Sequence, residues 1–424
     1  MARVMKDSGI EWIGEIPQEW EVRKLYGLLK TIGSGTTPKG SDSYYDGDIL
    51  WLNTGDLNDG YIYKVHKSVT QLAVEECSAL KIFPEDSVVI AMYGATIGKL
   101  GITTQPLTTN QACCVMSCDK NLKCKYLFYW FLGNKEFIIT LSYGAGQPNI
   151  SQEVIKQLQV TLPLLFEQKS IADFLSRKCS LIDSSIEKQK VVIEKLKLYK
   201  QSLITEVVTK GLDPTVKMKP SGIEWIGDIP EGWDVKPLFF AFKERKCKNT
   251  GNSETNLLSL SYGNIVNKDA SDNMGLLPES FEGYNIIEKG NIVFRLTDLQ
   301  NDHVSLRSAL VLERGIITSA YVTIESIITL SARFFNYLFR SYDYSKAFYN
   351  MGGGVRQGIN YNELKKMPLI ILSSDEQQAI ANYLDTKCSS IDNIINTKQK
   401  LIEQLSNYKK SLIYECVTGK REVV

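Results

Sequence analysis

A mixed α/β fold built twice, each copy closing with a long helix, is what this sequence predicts. Three observations carry it: an opening motif that recurs, a long helical stretch that recurs at nearly the same offset, and short β-rich runs that fill the space between. In the 424-residue chain, residues 8–22 read SGIEWIGEIPQEWEV and residues 221–235 read SGIEWIGDIPEGWDV, identical at eleven of fifteen positions with an offset of 213. Residues 167–209 and 376–418 are identical at 22 of 43 positions with an offset of 209, so the second intervening segment is four residues shorter. Between these blocks, residues 23–150 and 236–358 show almost no similarity beyond turn-like Gly clusters. A repeated frame carrying two unlike inserts suits a protein that performs one task twice on two different targets.

The opening motif leads into the first insert, whose β-rich runs are Asp48–Leu52, Ser87–Met92 and Gln111–Met116, with Asp, Gly and Asn clustered between them. An aromatic-rich helical stretch follows at Tyr126–Leu132, then the Gly-rich loop Gly144–Asn149. The second insert repeats the order with runs at Asn291–Leu296 and Ala320–Ile324, a helix at Phe334–Phe339 and the loop Gly352–Gly358.

Each copy then enters a helix. Ile182, Ile186, Gln189, Ile193, Leu196, Lys200, Leu203 and Val207 are spaced alternately four and three apart, the a/d spacing of a coiled coil with two polar interruptions. The second copy gives Ile391, Ile395, Lys398, Ile402, Leu405, Lys409, Leu412 and Cys416. Each run ends near a Gly, Gly211 or Gly419, as helices often do. A helix of roughly 37 residues spans on the order of 55 Å. So narrow a seam needs a partner helix. The other copy in the same chain is the simplest partner, and a second chain is the alternative. The end of the chain, Val417–Gly419, matches Val208–Lys210, which leads into the second opening motif. The C-terminus is therefore expected near the N-terminus, as in a pseudo-twofold ring. The expected divisions are 1–166, 167–211, 212–375 and 376–424.

Composition excludes several classes. With 43% hydrophobic and 23% charged residues the chain is an ordinary globular protein, and 49 Lys and Arg against 48 Asp and Glu leave a net charge of +1. That balance argues against coating nucleic acid by bulk charge, though not against a basic face. No apolar run reaches the roughly 18 residues that span a membrane, and the start has no signal-peptide core. Nine Cys in such a chain point to reduced thiols and a cytoplasmic location. Gly94–Lys99 comes close to a phosphate-binding loop but is one residue short and lacks the following Ser or Thr, so a turn is the better reading. Two His, one in each half, and Cys113, Cys114, Cys118 and Cys124 without zinc-site spacing give no metal site. Cys113 and Cys114 read as core, and Cys179 and Cys388 as packed helix residues. There is no nucleophile elbow and no adenine-methyltransferase N/D-P-P-Y/F motif, so no covalent chemistry is expected from this chain.

The opening GIEWIGEIPQEWEV followed by Gly33-Ser-Gly-Thr-Thr-Pro38 closely resembles the start of type I restriction–modification specificity subunits. So does the late loop Gln147–Ser151 or Arg356–Asn360 followed by the helix start Glu167–Leu175 or Glu376–Leu384. The resemblance covers essentially the whole chain, twice over. It implies two target recognition domains, each reading one half of a bipartite, non-palindromic site in double-stranded DNA. It implies two helices packed as an antiparallel coiled coil that sets the gap between half-sites. It also implies docking of two modification subunits that bind S-adenosylmethionine and methylate adenine. Added restriction subunits would supply ATP- and Mg-dependent cleavage, with no cofactor on this chain.

Sequence is read on base edges, with Arg suited to guanine and Asn or Gln to adenine, while phosphate contacts supply position. The candidates in the first domain are Thr36, Lys39, Asn53, Tyr93, Lys99, Asn110, Gln111 and Gln147. In the second they are Arg295, Thr297, Asp298, Gln300, Asn301, Arg307, Arg356 and Gln357. The run Phe294–Asn301, a β-like stretch ending in a polar loop, is the strongest. The plain reading of each is a surface polar group, a turn former or an internal ion pair. The rival for the whole chain is a coiled-coil scaffold joining two protein-binding domains without touching DNA.

Overall fold

The computed structural model describes residues 3–143, 148–268, 280–299, 301–302, 306–350 and 358–423. The chain forms two compact units, Met1–Gln189 with Gln399–Val424, and Lys190–Lys398. The division falls inside both long helices, not at their ends.

In the first unit the opening motif folds as a hairpin of Met5–Asp7 with Glu15–Pro17, and its apolar residues Ile10, Ile13, Ile16 and Trp20 are buried. Trp20 is fully buried, and its indole N–H donates to Glu167 at 2.9 Å, tying the motif to the start of the first long helix. The insert builds a five-stranded sheet in the order Leu29–Gly33, Cys113–Cys118, Val88–Ala91, Leu100–Thr103, Gly60–Ile62, with the last pair parallel. Beside it, Tyr45–Leu52 pairs with Ser68–Val69 and runs parallel to Thr108–Thr109. The aromatic helix Cys124–Gly133 lies on the core with Tyr126, Trp130 and Phe131 fully buried, each worth about 2–3 kcal/mol of transfer free energy. Gln168 fixes this helix by accepting the Lys123 N–H at 2.8 Å. The C-terminal segment completes the unit. The Val417 carbonyl accepts from Thr161 at 2.7 Å, Tyr414 donates to the Trp12 carbonyl, and a Cβ on Gly419 would collide with Pro17. The termini are therefore close, as the cyclic order of the repeat predicts.

The second unit repeats this frame. Met218–Pro220 pairs with Asp228–Pro230, Trp233 donates to Glu376 at 3.2 Å, and Gln377 accepts the Ser331 N–H at 2.9 Å beside the helix Ala332–Tyr344. Gly211, at φ +81, packs against Trp233 and Pro230 as Gly419, at φ +73, packs against Trp20 and Pro17; both φ values are the left-handed region that glycine adopts freely. The insert is different. Its main sheet has four strands, Phe242–Glu244, Val322–Ser326, Ile292–Phe294 and Ser308–Leu310, all antiparallel.

The long helices run Leu165–Lys210 and Ser374–Val417, 46 and 44 residues. They are longer than the roughly 37 residues expected because each begins 17 residues before its a/d run, which starts at Ile182 and Ile391. Every a/d position named above is buried or half-buried, while most neighbours are exposed. Two of the polar interruptions are ion-paired: Lys409 with Asp183 at 2.6 Å in the first unit, and Lys200 with Asp392 at 2.6 Å in the second.

The cysteines depart from expectation at one place. Cys118, at a strand end, and Cys124, at a helix start, have Cα atoms 5.6 Å apart and form a disulfide, although free thiols were expected. The turn between them brings the two side chains within bridging geometry, which residue spacing alone did not disclose. Cys113, Cys114, Cys179 and Cys388 are free and buried as expected, and burial pushes the Cys113 and Cys114 thiols up to about 12.

Candidate nucleic-acid interface

In the first unit, two strand ends meet because Thr108–Thr109 runs parallel to Trp51–Leu52. The chain leaves these strands at Asn53 and at Asn110–Gln111, so three amide side chains emerge together. Asn110 donates to the Asn53 side-chain oxygen at 2.9 Å, and Thr37 donates to the Gln111 side-chain oxygen at 2.9 Å. The segment around Thr36 is drawn over this edge: Trp51 donates to the Thr36 carbonyl at 3.1 Å and Gly35 N–H donates to Thr109 at 2.9 Å. Tyr93 joins through a hydrogen bond with Gln111. Burial pushes its hydroxyl up, with that bond opposing the shift. Thr36, Asn53, Tyr93, Asn110 and Gln111 thus form one polar cluster.

Lys39 is exposed beyond Thr36, and Lys99 is half-buried after the turn Gly94–Thr96 that follows Tyr93, but neither has a hydrogen bond to the cluster. That turn joins Val88–Ala91 to Leu100–Thr103, as expected of a turn and not a phosphate loop. Gln147 lies outside the described residues; Asn149, two positions on, pairs with Tyr93.

Sequence reasoning missed Thr37, Asp56 and His66. Asp56 caps the turn Thr54–Asp56 by accepting the Asn53 N–H at 2.9 Å. The pattern Asn53-Thr-Gly-Asp56 is a capping box and was the available signal.

In the second unit the strand Ile292–Phe294 ends in the polar loop predicted from Phe294–Asn301. Thr297, Asp298 and Asn301 are exposed, Asn301 donates to Asp298 at 2.8 Å, and Arg295 is half-buried at the strand end. Arg307 is a correction. It is fully buried, so it does not reach DNA. Its guanidinium donates to the carbonyls of Thr297, at 3.1 Å, and Asp302, and to the Tyr349 hydroxyl, so it holds the loop from beneath. Gln300, Arg356 and Gln357 lie outside the described residues.

Among the described residues no group of His, Cys, Asp or Glu is arranged to hold a metal ion, and no helix is long and apolar enough to cross a membrane.

The fold and this surface can be set beside known proteins. A family model described as the type I restriction modification DNA specificity domain matches residues 17–195. The MjaIX specificity subunit of Methanocaldococcus jannaschii is 31% identical over 249 residues, 57% of this chain and 56% of that protein. The putative MjaX specificity subunit of the same organism is 27% identical over 384 residues, 88% of this chain and 87% of that protein. The chain thus covers only about half the length of the first of these relatives. A solved structure from work on "complex assembly and conformational transition of the type I R-M system" aligns with a TM-score of 0.71 at 12% identity, over 96% of this chain and 99% of that one. The HsdS subunit from Thermoanaerobacter tengcongensis aligns with a TM-score of 0.55 at 13% identity, over 96% of this chain and 98% of that one. At such identities the structures show a shared fold alone. Residues 17–195 thus match the type I restriction modification DNA specificity domain, and the chain is similar to type I specificity subunits over about half to nearly nine-tenths of its length.

Proposed function

We propose that each unit reads one half of a bipartite, non-palindromic DNA site, and that the long helices pack antiparallel to set the spacer and dock two modification subunits. On this reading the chain performs no covalent step itself; methylation and cleavage belong to partners that carry S-adenosylmethionine, ATP and Mg. The observation that carries it is the contrast between frame and insert. The bonds Trp20–Glu167 and Trp233–Glu376 are repeat counterparts, while a five-stranded sheet stands in one unit where a four-stranded one stands in the other.

The helix pairing has its own support. Asp183 and Asp392 are repeat counterparts, as are Lys200 and Lys409, and each ion pair joins the Asp of one copy to the Lys of the other. From the first pair to the second, one helix advances 17 residues while the other retreats 17, as antiparallel packing requires. A Lys at a seam position favours one register over its neighbours. Docking is supported by Ile394, Leu401 and Tyr408, which repeat every seven residues on the second long helix and are 43%, 39% and 49% exposed.

The test is a methylation assay of the chain assembled with its modification subunits. Asn110→Ala should relax discrimination at one half-site and Arg295→Ala at the other, by about 1–3 kcal/mol each. Both variants altering the same half-site, or no discrimination by the parent assembly, would overturn the reading.

A further inference from the structure

We propose that His66, held outward by Asp56, is a DNA-phosphate contact that sets the register of the first unit's reading cluster. This inference rests on the DNA-binding reading above. Asp56 is a carboxylate whose side chain is only 3% exposed, and it gathers three N–H groups: the backbone of Asn53 at 2.9 Å, the backbone of His66 at 3.2 Å, and His66 Nδ1. The imidazole itself is 87% exposed. A side chain fixed at one end by a buried carboxylate and left in water at the other gains nothing from burial. What it gains is a fixed direction.

The carboxylate accepts from Nδ1, so Nδ1 carries a hydrogen and Nε2 is the atom left to face outward. In the imidazolium form Nε2–H is a charged donor suited to a phosphate oxygen. Lys64 and Lys67 flank it and are exposed, with the Lys67 ammonium 5.8 Å from the Trp51 ring centre. The strip from Lys64 to Lys67 is thus a short basic ridge. It stands beside the amides because the same carboxylate caps the turn that begins at Asn53, which holds Asn110. Phosphate contacts of this kind position a protein on the duplex without reading bases. Asp56 acts through His66 and Asn53 as a positioning residue.

The experiment measures DNA binding by the chain assembled with its modification subunits, across a salt series, on a cognate duplex and a scrambled one. His66→Ala should weaken binding to both duplexes by the same factor, about three- to tenfold, and lower the slope of log affinity against log salt by about one. The methylated sequence should be unchanged, and His66→Lys should restore the slope. Asp56→Asn should reproduce the loss in part by freeing the ring. An unchanged slope in His66→Ala, with the duplex preference intact, overturns this inference and leaves the functional reading standing. No preference between duplexes in the parent assembly overturns both.

Discussion

Asp343 lies under the loop that follows Ile292–Phe294, almost wholly buried, and burial pushes its carboxyl up to about 6 against the Arg307 N–H and the Ser308 hydroxyl, which favour the charged form. In the unfolded chain the group titrates near ~3.9, so the folded state holds its proton more tightly. Its contribution to stability is full below about pH 4, is lost as pH rises toward 6, and is level above that, a swing of at most about 3 kcal/mol. Asp343→Asn should therefore gain on the parent as pH rises from 4 to 6, read as the difference between their thermal unfolding curves; a constant difference across that window would contradict it. The same neighbourhood explains why Arg307 misleads in sequence. An Arg near a polar loop has the chemistry of a guanine reader, but its partners Tyr349 and Asp343 are 42 and 36 residues away. Asn53 and Asn110 differ in that each follows directly on a strand, with Gln111 next after Asn110, so their position at a strand edge could be read from the sequence.

The helices are the elements that the sequence states most openly, because an apolar seam every 3.5 residues survives in composition whatever the partner. All the seam positions read from the repeat are at least half-buried. Helix length was not legible, since Leu165 and Ser374 begin helices inside stretches without that period. Nor was the role of Lys200 and Lys409, which look like breaks in the seam and are its ion-paired positions. Each of these pairs is partly exposed, so it is worth about 0–1 kcal/mol and selects register more than it stabilises. If the helices set the spacer, inserting four residues after Lys190 adds about 6 Å of helix, close to two steps of 3.4 Å along DNA. The recognised spacer should lengthen by about one or two base pairs. Full activity on the original spacer would count against a ruler.

Across the whole molecule, the repeat separates what is kept from what varies. The opening hairpin, its Trp–Glu bond, the Gln that seats the aromatic helix and the glycine at each helix end recur in both units. Each unit also draws on both long helices: Gln399–Val424 belongs to the unit that holds the first opening motif. That cyclic order was visible in sequence because Val417–Gly419 matches Val208–Lys210, the stretch that leads into the second opening motif. The inserts were less legible. Their β runs could be found, but pairing order and the parallel contact that gathers Asn53 with Asn110 depend on residues 57 positions apart. The most direct measurement of the central claim is long-read detection of methylated bases in DNA modified by this chain with its modification subunits. The account predicts one motif of two short, unlike half-sites separated by a gap of fixed length. A single continuous palindrome, or modification without any motif, would contradict it.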